Sequence, residues 1–154
     1  MSEANRLAYL RIALVVIGLT FIFGIYPLAQ VWPSGWTWGP GALCSGDAQS
    51  ATSPAGWLLG REYSHYFVMI LGVYATLGVF LLLAARDPFA YASVIWFTVW
   101  SSVVHAGIML VQSMADASER GHLIGDVPAL VLIAIVLAGL SPRSMRQSPT
   151  LAAA

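Results

Sequence analysis

Ser102-Val103-Val104-His105-Ala106-Gly107-Ile108-Met109, followed a few residues later by Glu119-Arg120-Gly121-His122-Leu123-Ile124-Gly125-Asp126, is the stretch that decides how this sequence is read. It joins the end of one strongly apolar segment to the start of the next. Between His105 and Asp126 lie two of the chain's three histidines and three of its seven acids. Ionisable groups at hydrocarbon depth are costly and almost always face a bundle interior or a water-filled cavity. The stretch therefore reads as the outer corner of a membrane helix bundle, where polar side chains converge.

Composition supports that solvent. The chain is 58% hydrophobic and 9% charged, with a mean hydropathy of +0.77, whereas soluble domains carry about 25% charged residues. The lipid bilayer is the first partner this implies. At 154 residues the chain has room for one domain of a few spans. It has no lysine and a net charge of zero, so it offers no basic surface and nucleic acid is excluded as a partner. The single cysteine, Cys44, excludes an internal disulfide and any mechanism that cycles a cysteine pair within the chain.

Working outward gives four spans, at about 7–31, 63–85, 89–112 and 117–140. The first runs from Leu7 to Val31 and is long enough for the ~20 residues a helix needs to cross hydrocarbon. Pro27-Leu28-Ala29 loosely imitates a cleavage site, but the segment is read as an uncleaved span. From Trp32 to Arg61 the chain is rich in tryptophan, proline and glycine. Trp32, Trp36, Trp38 and Trp57 either anchor this outer loop at the headgroups or wall a pocket. Ser53-Pro54 resembles a helix start within it. Arg86-Asp87-Pro88 makes a tight break, with Asp87 placed to cap the third span. Asp116 and Glu119 form a variant capping box, which predicts a fourth helix starting near Ala117. The rival assignment makes Asp126 the cap before Val127-Pro128.

The expected fold is an all-α, integral-membrane four-helix bundle. Residues 1–140 form a single domain, and 141–154 form a short polar tail expected to be disordered. Counting arginines favours both termini inside, with Arg6, Arg11, Arg86, Arg143 and Arg146 cytoplasmic and only Arg61 and Arg120 outside.

That topology gathers the polar residues. Glu62, His65 and Met69 share one helical face, Thr98, Ser101 or Ser102, His105, Met109 and Gln112 another, and Glu119, His122 and Asp126 a third. All three histidines fall in the outer half. Two Glu-x-x-His pairs, Glu62/His65 and Glu119/His122, have the spacing of dinuclear carboxylate bundles, but spans one and three lack the further carboxylates such sites use. A mononuclear site is chemically easier. His65, His105 and His122 would ligate Zn, Cu or Fe, with Glu62, Glu119 and Asp126 as ligands or orienters. Haem between two of these histidines is a further option. Ligation requires neutral imidazole, so mild acidification is expected to release such a metal. The competing structural reading makes the glutamates interfacial, Asp126 a helix cap and His105 a hydrogen-bonded link between helices. Small residues at Gly72, Ala75 and Gly78, and at Gly121, Gly125 and Ala129, predict close helix approach.

Leu10-Arg11-Ile12-Ala13-Leu14, Phe21-Ile22-Phe23-Gly24, the glycine-containing second span and the Ala85-Arg86-Asp87-Pro88 turn together resemble the DoxX-like group of small four-helix bacterial inner-membrane proteins. That resemblance implies a multi-pass protein of the bacterial inner membrane, and it carries over no catalytic residue. Three functions stay open. The first is an accessory subunit of a membrane complex, with other membrane subunits or further copies of itself as partners. The second is a metal- or haem-dependent redox protein acting on quinone or a small lipid-phase substrate. The third is a proton-coupled carrier using His105 and Asp126. Whether the chain is an enzyme is undecided at this level.

Overall fold

The computed structural model describes residues 2–25, 65–115 and 117–142, with the side chains of all but 65–68 and 117–119. Among these residues every regular element is helical. Helix α1 spans Glu3–Leu19 and continues through a π-helical turn, Thr20–Gly24. Helix α2 spans His65–Arg86 and α3 Ala92–Ala115. A 3-10 turn at Ala117–Leu123 leads into α4, Asp126–Leu140. Among the described residues four segments are long and apolar enough to cross a membrane: Glu3–Gly24, Met69–Arg86, Ala92–Ala115 and Arg120–Leu140.

Local chemistry fixes the boundaries. Ser2 accepts a hydrogen bond from the Asn5 amide at 3.3 Å, so α1 starts four residues ahead of the expected Leu7. Asp87 caps as anticipated, its Oδ1 accepting from the amides of Phe89 and Ala90 at 3.2 Å each. Pro88–Ala90 remains a turn, and α3 begins at Ala92 rather than Phe89.

The expectation of a continuous fourth helix from Ala117 is corrected. Pro128 in a continuous helix would set its ring against the carbonyl of Ile124, four residues earlier. The chain instead breaks at Gly125, with φ −97° and ψ −87°, and restarts as α4. Pro128 is then the third residue of α4, where its missing N–H costs nothing. The break falls at the rival boundary, with Gly125 in the cap position and Asp126 as the first helical residue.

Helix α1 packs chiefly on α2, and α3 on α4 and the 3-10 turn; α1 also touches α4, while the consecutive helices α2 and α3 meet only slightly. Lipid tails are as apolar as leucine, so association rests on close packing and hydrogen bonds rather than on hydrophobic burial. The closest approach is between Gly18 and Gly78. A Cβ on Gly78 would stand 2.6 Å from the Gly18 carbonyl oxygen, and one on Gly18 2.9 Å from the Gly78 carbonyl oxygen. The expected small-residue contact thus holds at Gly78 but not at Gly72, where a Cβ would meet open space.

The fully buried core gathers towards the end where α1 starts and α4 finishes: Leu10, Leu14, Leu81, Ile95 and Leu137. There Arg6 donates to the carbonyls of Gly139 at 2.5 Å and Ser141 at 3.3 Å, serving carbonyls that the end of α4 leaves unpaired. Large apolar side chains such as Phe23, Trp100, Met114 and Ile135 point outward. The Trp32–Arg61 loop, Cys44, the Ser53-Pro54 helix start, Pro27, Asp116 and the tail from Arg143 lie outside the described residues.

Candidate functional site

The end of the molecule opposite the core is polar inside. Tyr74 on α2 lies 13 residues before Asp87, and His105 on α3 lies 14 residues after Tyr91. At ~1.5 Å per residue the two sit at matching depth, about 20 Å from the turn that joins their helices. The Tyr74 hydroxyl and His105 Nδ1 are hydrogen-bonded at 3.0 Å. Phe21, from the π turn, holds the tyrosine in place with an edge-on ring contact, centroids 4.9 Å apart at 75°.

A second pair closes the far end of α3's partner. His122, on the 3-10 turn, hydrogen-bonds through Nδ1 to Asp126 Oδ2 across the Gly125 break. Both side chains are buried, at 3% and 5% exposure. The 3-10 turn that carries His122 packs on α3, which carries His105, so the two pairs lie at the same end of the bundle. An acid at the first position of α4 also complements the helix dipole.

Between α2 and α3, where packing is slight, lies a cavity of about 260 Å³. Ser101, Ser102, Tyr74 and His105 give it a polar edge, and Phe21, Leu77 and Leu130 belong to its apolar wall. Ser101 Oγ donates to the Thr98 carbonyl at 3.2 Å, and Thr98 Oγ1 to that of Val94 at 2.8 Å. Ser102 is 4% exposed.

The anticipated faces hold in part. Thr98, Ser102 and His105 turn inward as the spacing predicts, but Gln112 is exposed and its place on the buried face is taken by Ser113. Met69, expected to face inward beneath His65, is 64% exposed. Of the six residues proposed for a metal, His105, His122 and Asp126 are brought to one end of the molecule. The side chains of His65 and Glu119, and all of Glu62, lie outside the described residues. Among the described residues no group of three or more His, Cys, Asp or Glu side chains is arranged to hold a metal ion.

The residue that the pattern reading missed is Tyr74. A signal for it was present: a phenol in mid-span carries a polar tip that needs a partner in hydrocarbon, and its distance from the Arg86-Asp87-Pro88 turn matches that of His105.

A family model described as a family of unknown function, DUF6632, matches residues 4–50 and 48–153. No curated protein and no solved structure matches the chain. The family match leaves the DoxX-like resemblance as an expectation about layout.

Proposed function

The chain belongs to the DUF6632 family, whose function is unknown, and from its site we propose that it is an accessory subunit of a membrane complex. It would be a four-helix bundle in the bacterial inner membrane with both termini cytoplasmic, presenting a His/carboxylate cluster in the outer half of the bilayer. The observation that carries this reading is the asymmetry between its two ends. Polar groups gather at one end, while at the other Leu10, Leu14, Leu81, Ile95 and Leu137 are fully buried. Alternating access needs a route on both sides of a central site, and an apolar plug of this kind argues against the proton-coupled carrier. The hydrogen bonds from Arg6 to the end of α4 support this orientation, as does the arginine count.

Purification from the native membrane in mild detergent tests the proposal. A stoichiometric larger assembly is expected, and a stable solitary chain would overturn it. Reporter domains fused to either terminus are expected to be active only on the cytoplasmic side.

One observation favours a second reading, a metal-dependent redox protein working on quinone or a small lipid-phase substrate. Both described imidazoles of the site have Nδ1 on an oxygen, Tyr74 Oη for His105 and Asp126 for His122. Metal-bound histidines are commonly oriented in this way when Nε2 ligates. A mononuclear Zn, Cu or Fe would draw on His65, His105 and His122, with Glu62, Glu119 or Asp126 assisting. Elemental analysis and visible absorption of the pure protein are the tests. Unchanged metal content in His105→Ala, or no stoichiometric metal in the parent, would sink this reading.

A further inference from the structure

We propose that the cleft between α2 and α3 is a binding site for an uncharged, lipid-soluble molecule that carries a hydroxyl or carbonyl on a compact ring and enters sideways from the bilayer.

Entry from the side follows from the mouth of the cleft. Val73 and Phe97 both line the cavity and are 67% and 63% exposed, so its opening is framed by the surface that meets lipid tails. The slight contact between α2 and α3 leaves that side unsealed by the described residues. The charge of the ligand follows from the lining, which among the described residues contains no Asp, Glu, Lys or Arg. An ion placed there would give up its hydration with no partner of opposite charge at the wall.

Its polarity follows from Ser102. Ser102 is 4% exposed as a residue and lines the cavity, and its hydroxyl, open to that space, has no hydrogen-bond partner among the described residues. The usual helical partner, the Thr98 carbonyl, already accepts from Ser101. A hydroxyl in hydrocarbon without a partner costs free energy that an incoming oxygen would recover. His105 stands one turn along the same face of α3, and its bond to Tyr74 leaves the phenol oxygen with further hydrogen-bonding capacity. A ligand oxygen would therefore meet a short polar edge, with apolar walls around the rest of the molecule. Size sets the ring: 260 Å³ falls just short of the about 300 to 1,000 Å³ of pockets for drug-sized ligands, so one or two fused rings suit it.

The test uses the full chain in lipid nanodiscs at neutral pH, with empty discs as the blank and three probes of one shape. These are 2-naphthol, 2-methylnaphthalene and 2-naphthoate, followed by equilibrium dialysis. Saturable binding of 2-naphthol at one per chain is expected. Binding of 2-methylnaphthalene should be about fivefold weaker, and 2-naphthoate should show no saturable uptake. Ser102→Ala and Tyr74→Phe should each weaken 2-naphthol by about fivefold, and Ser102→Leu, which fills the cleft, should abolish its binding. Should Tyr74→Phe not fold, Ser102→Ala carries the test, because it deletes a single oxygen. The proposal is overturned if 2-naphthol shows no saturable excess over empty discs, if 2-naphthol and 2-methylnaphthalene bind alike, or if Ser102→Ala binds like the parent.

Discussion

At the scale of single residues, two glycines that look equivalent in the sequence have opposite surroundings. Gly78 faces the backbone of Gly18 across the α1–α2 crossing, whereas Gly72 faces open space. A methyl group at position 78 must push two backbones apart, and overpacking of this kind costs about 1–3 kcal/mol. Gly78→Ala is therefore expected to lower stability by that amount in a denaturing-detergent titration. Gly72→Ala is expected to be neutral or slightly stabilising, since it only removes backbone freedom. Equal losses in the two variants would show that the crossing is looser than described. Tyr74→Phe provides a second measure at this scale. Loss of the hydroxyl that bonds His105 should cost about 0.5–1.5 kcal/mol, because side-chain hydrogen bonds inside membrane proteins are modest.

At the scale of elements, the junction between the 3-10 turn and α4 depends on one buried pair. Asp126 does two things there: it holds His122 and it places an acid at the start of α4. Asp126→Ala is thus expected to destabilise the protein more than His122→Ala. Its effect should be local, with faster amide exchange in the 3-10 turn and the first turn of α4 and little change in α1. Exchange that rises equally in all four helices would count against a local latch. The α2–α3 turn offers a simpler case. Asp87→Ala removes the acceptor for two amides and should cost about 0.5–2 kcal/mol, the usual range for a lost helix cap.

At the scale of the whole molecule, two helix pairs, α1–α2 and α3–α4, are joined mainly through α1 on α4. Arg6 fastens that junction by reaching the last carbonyls of α4. Arg6→Ala should lower stability by about 1 kcal/mol and speed amide exchange at the ends of α1 and α4, while leaving the Gly18–Gly78 crossing protected. A loss of protection at the crossing instead would mean that Arg6 supports the α1–α2 pair rather than the link between pairs. The same architecture explains the uneven interior. Where all four helices converge near the termini the packing is tight, and where α2 and α3 part the cavity opens.

Much of this was legible in the sequence, for a physical reason. Hydrocarbon demands long apolar runs, so the four spans, the polar break at Asp87 and the inward placement of Thr98, Ser102 and His105 could be read from composition and spacing alone. The pairing of His105 could not. Tyr74 is one aromatic residue among many in an apolar span, and only the depth match across the α2–α3 turn singles it out. Away from those polar positions the spans are apolar on every side and give little sign of which face turns inward, so spacing placed Gln112 and Met69 inward where they are exposed and passed over Ser113, which is buried. A break just before Val127-Pro128 was present as one of two assignments, with Asp126 as its cap; the clash of Pro128 with a continuous helix decides for a break, and the structure sets Gly125 in the cap position. Sequence alone therefore determined the solvent, the number of spans and the end of the molecule where its polar groups collect. Tertiary structure alone decided which of those groups touch, because in lipid the partner of a side chain is set by how closely two backbones approach.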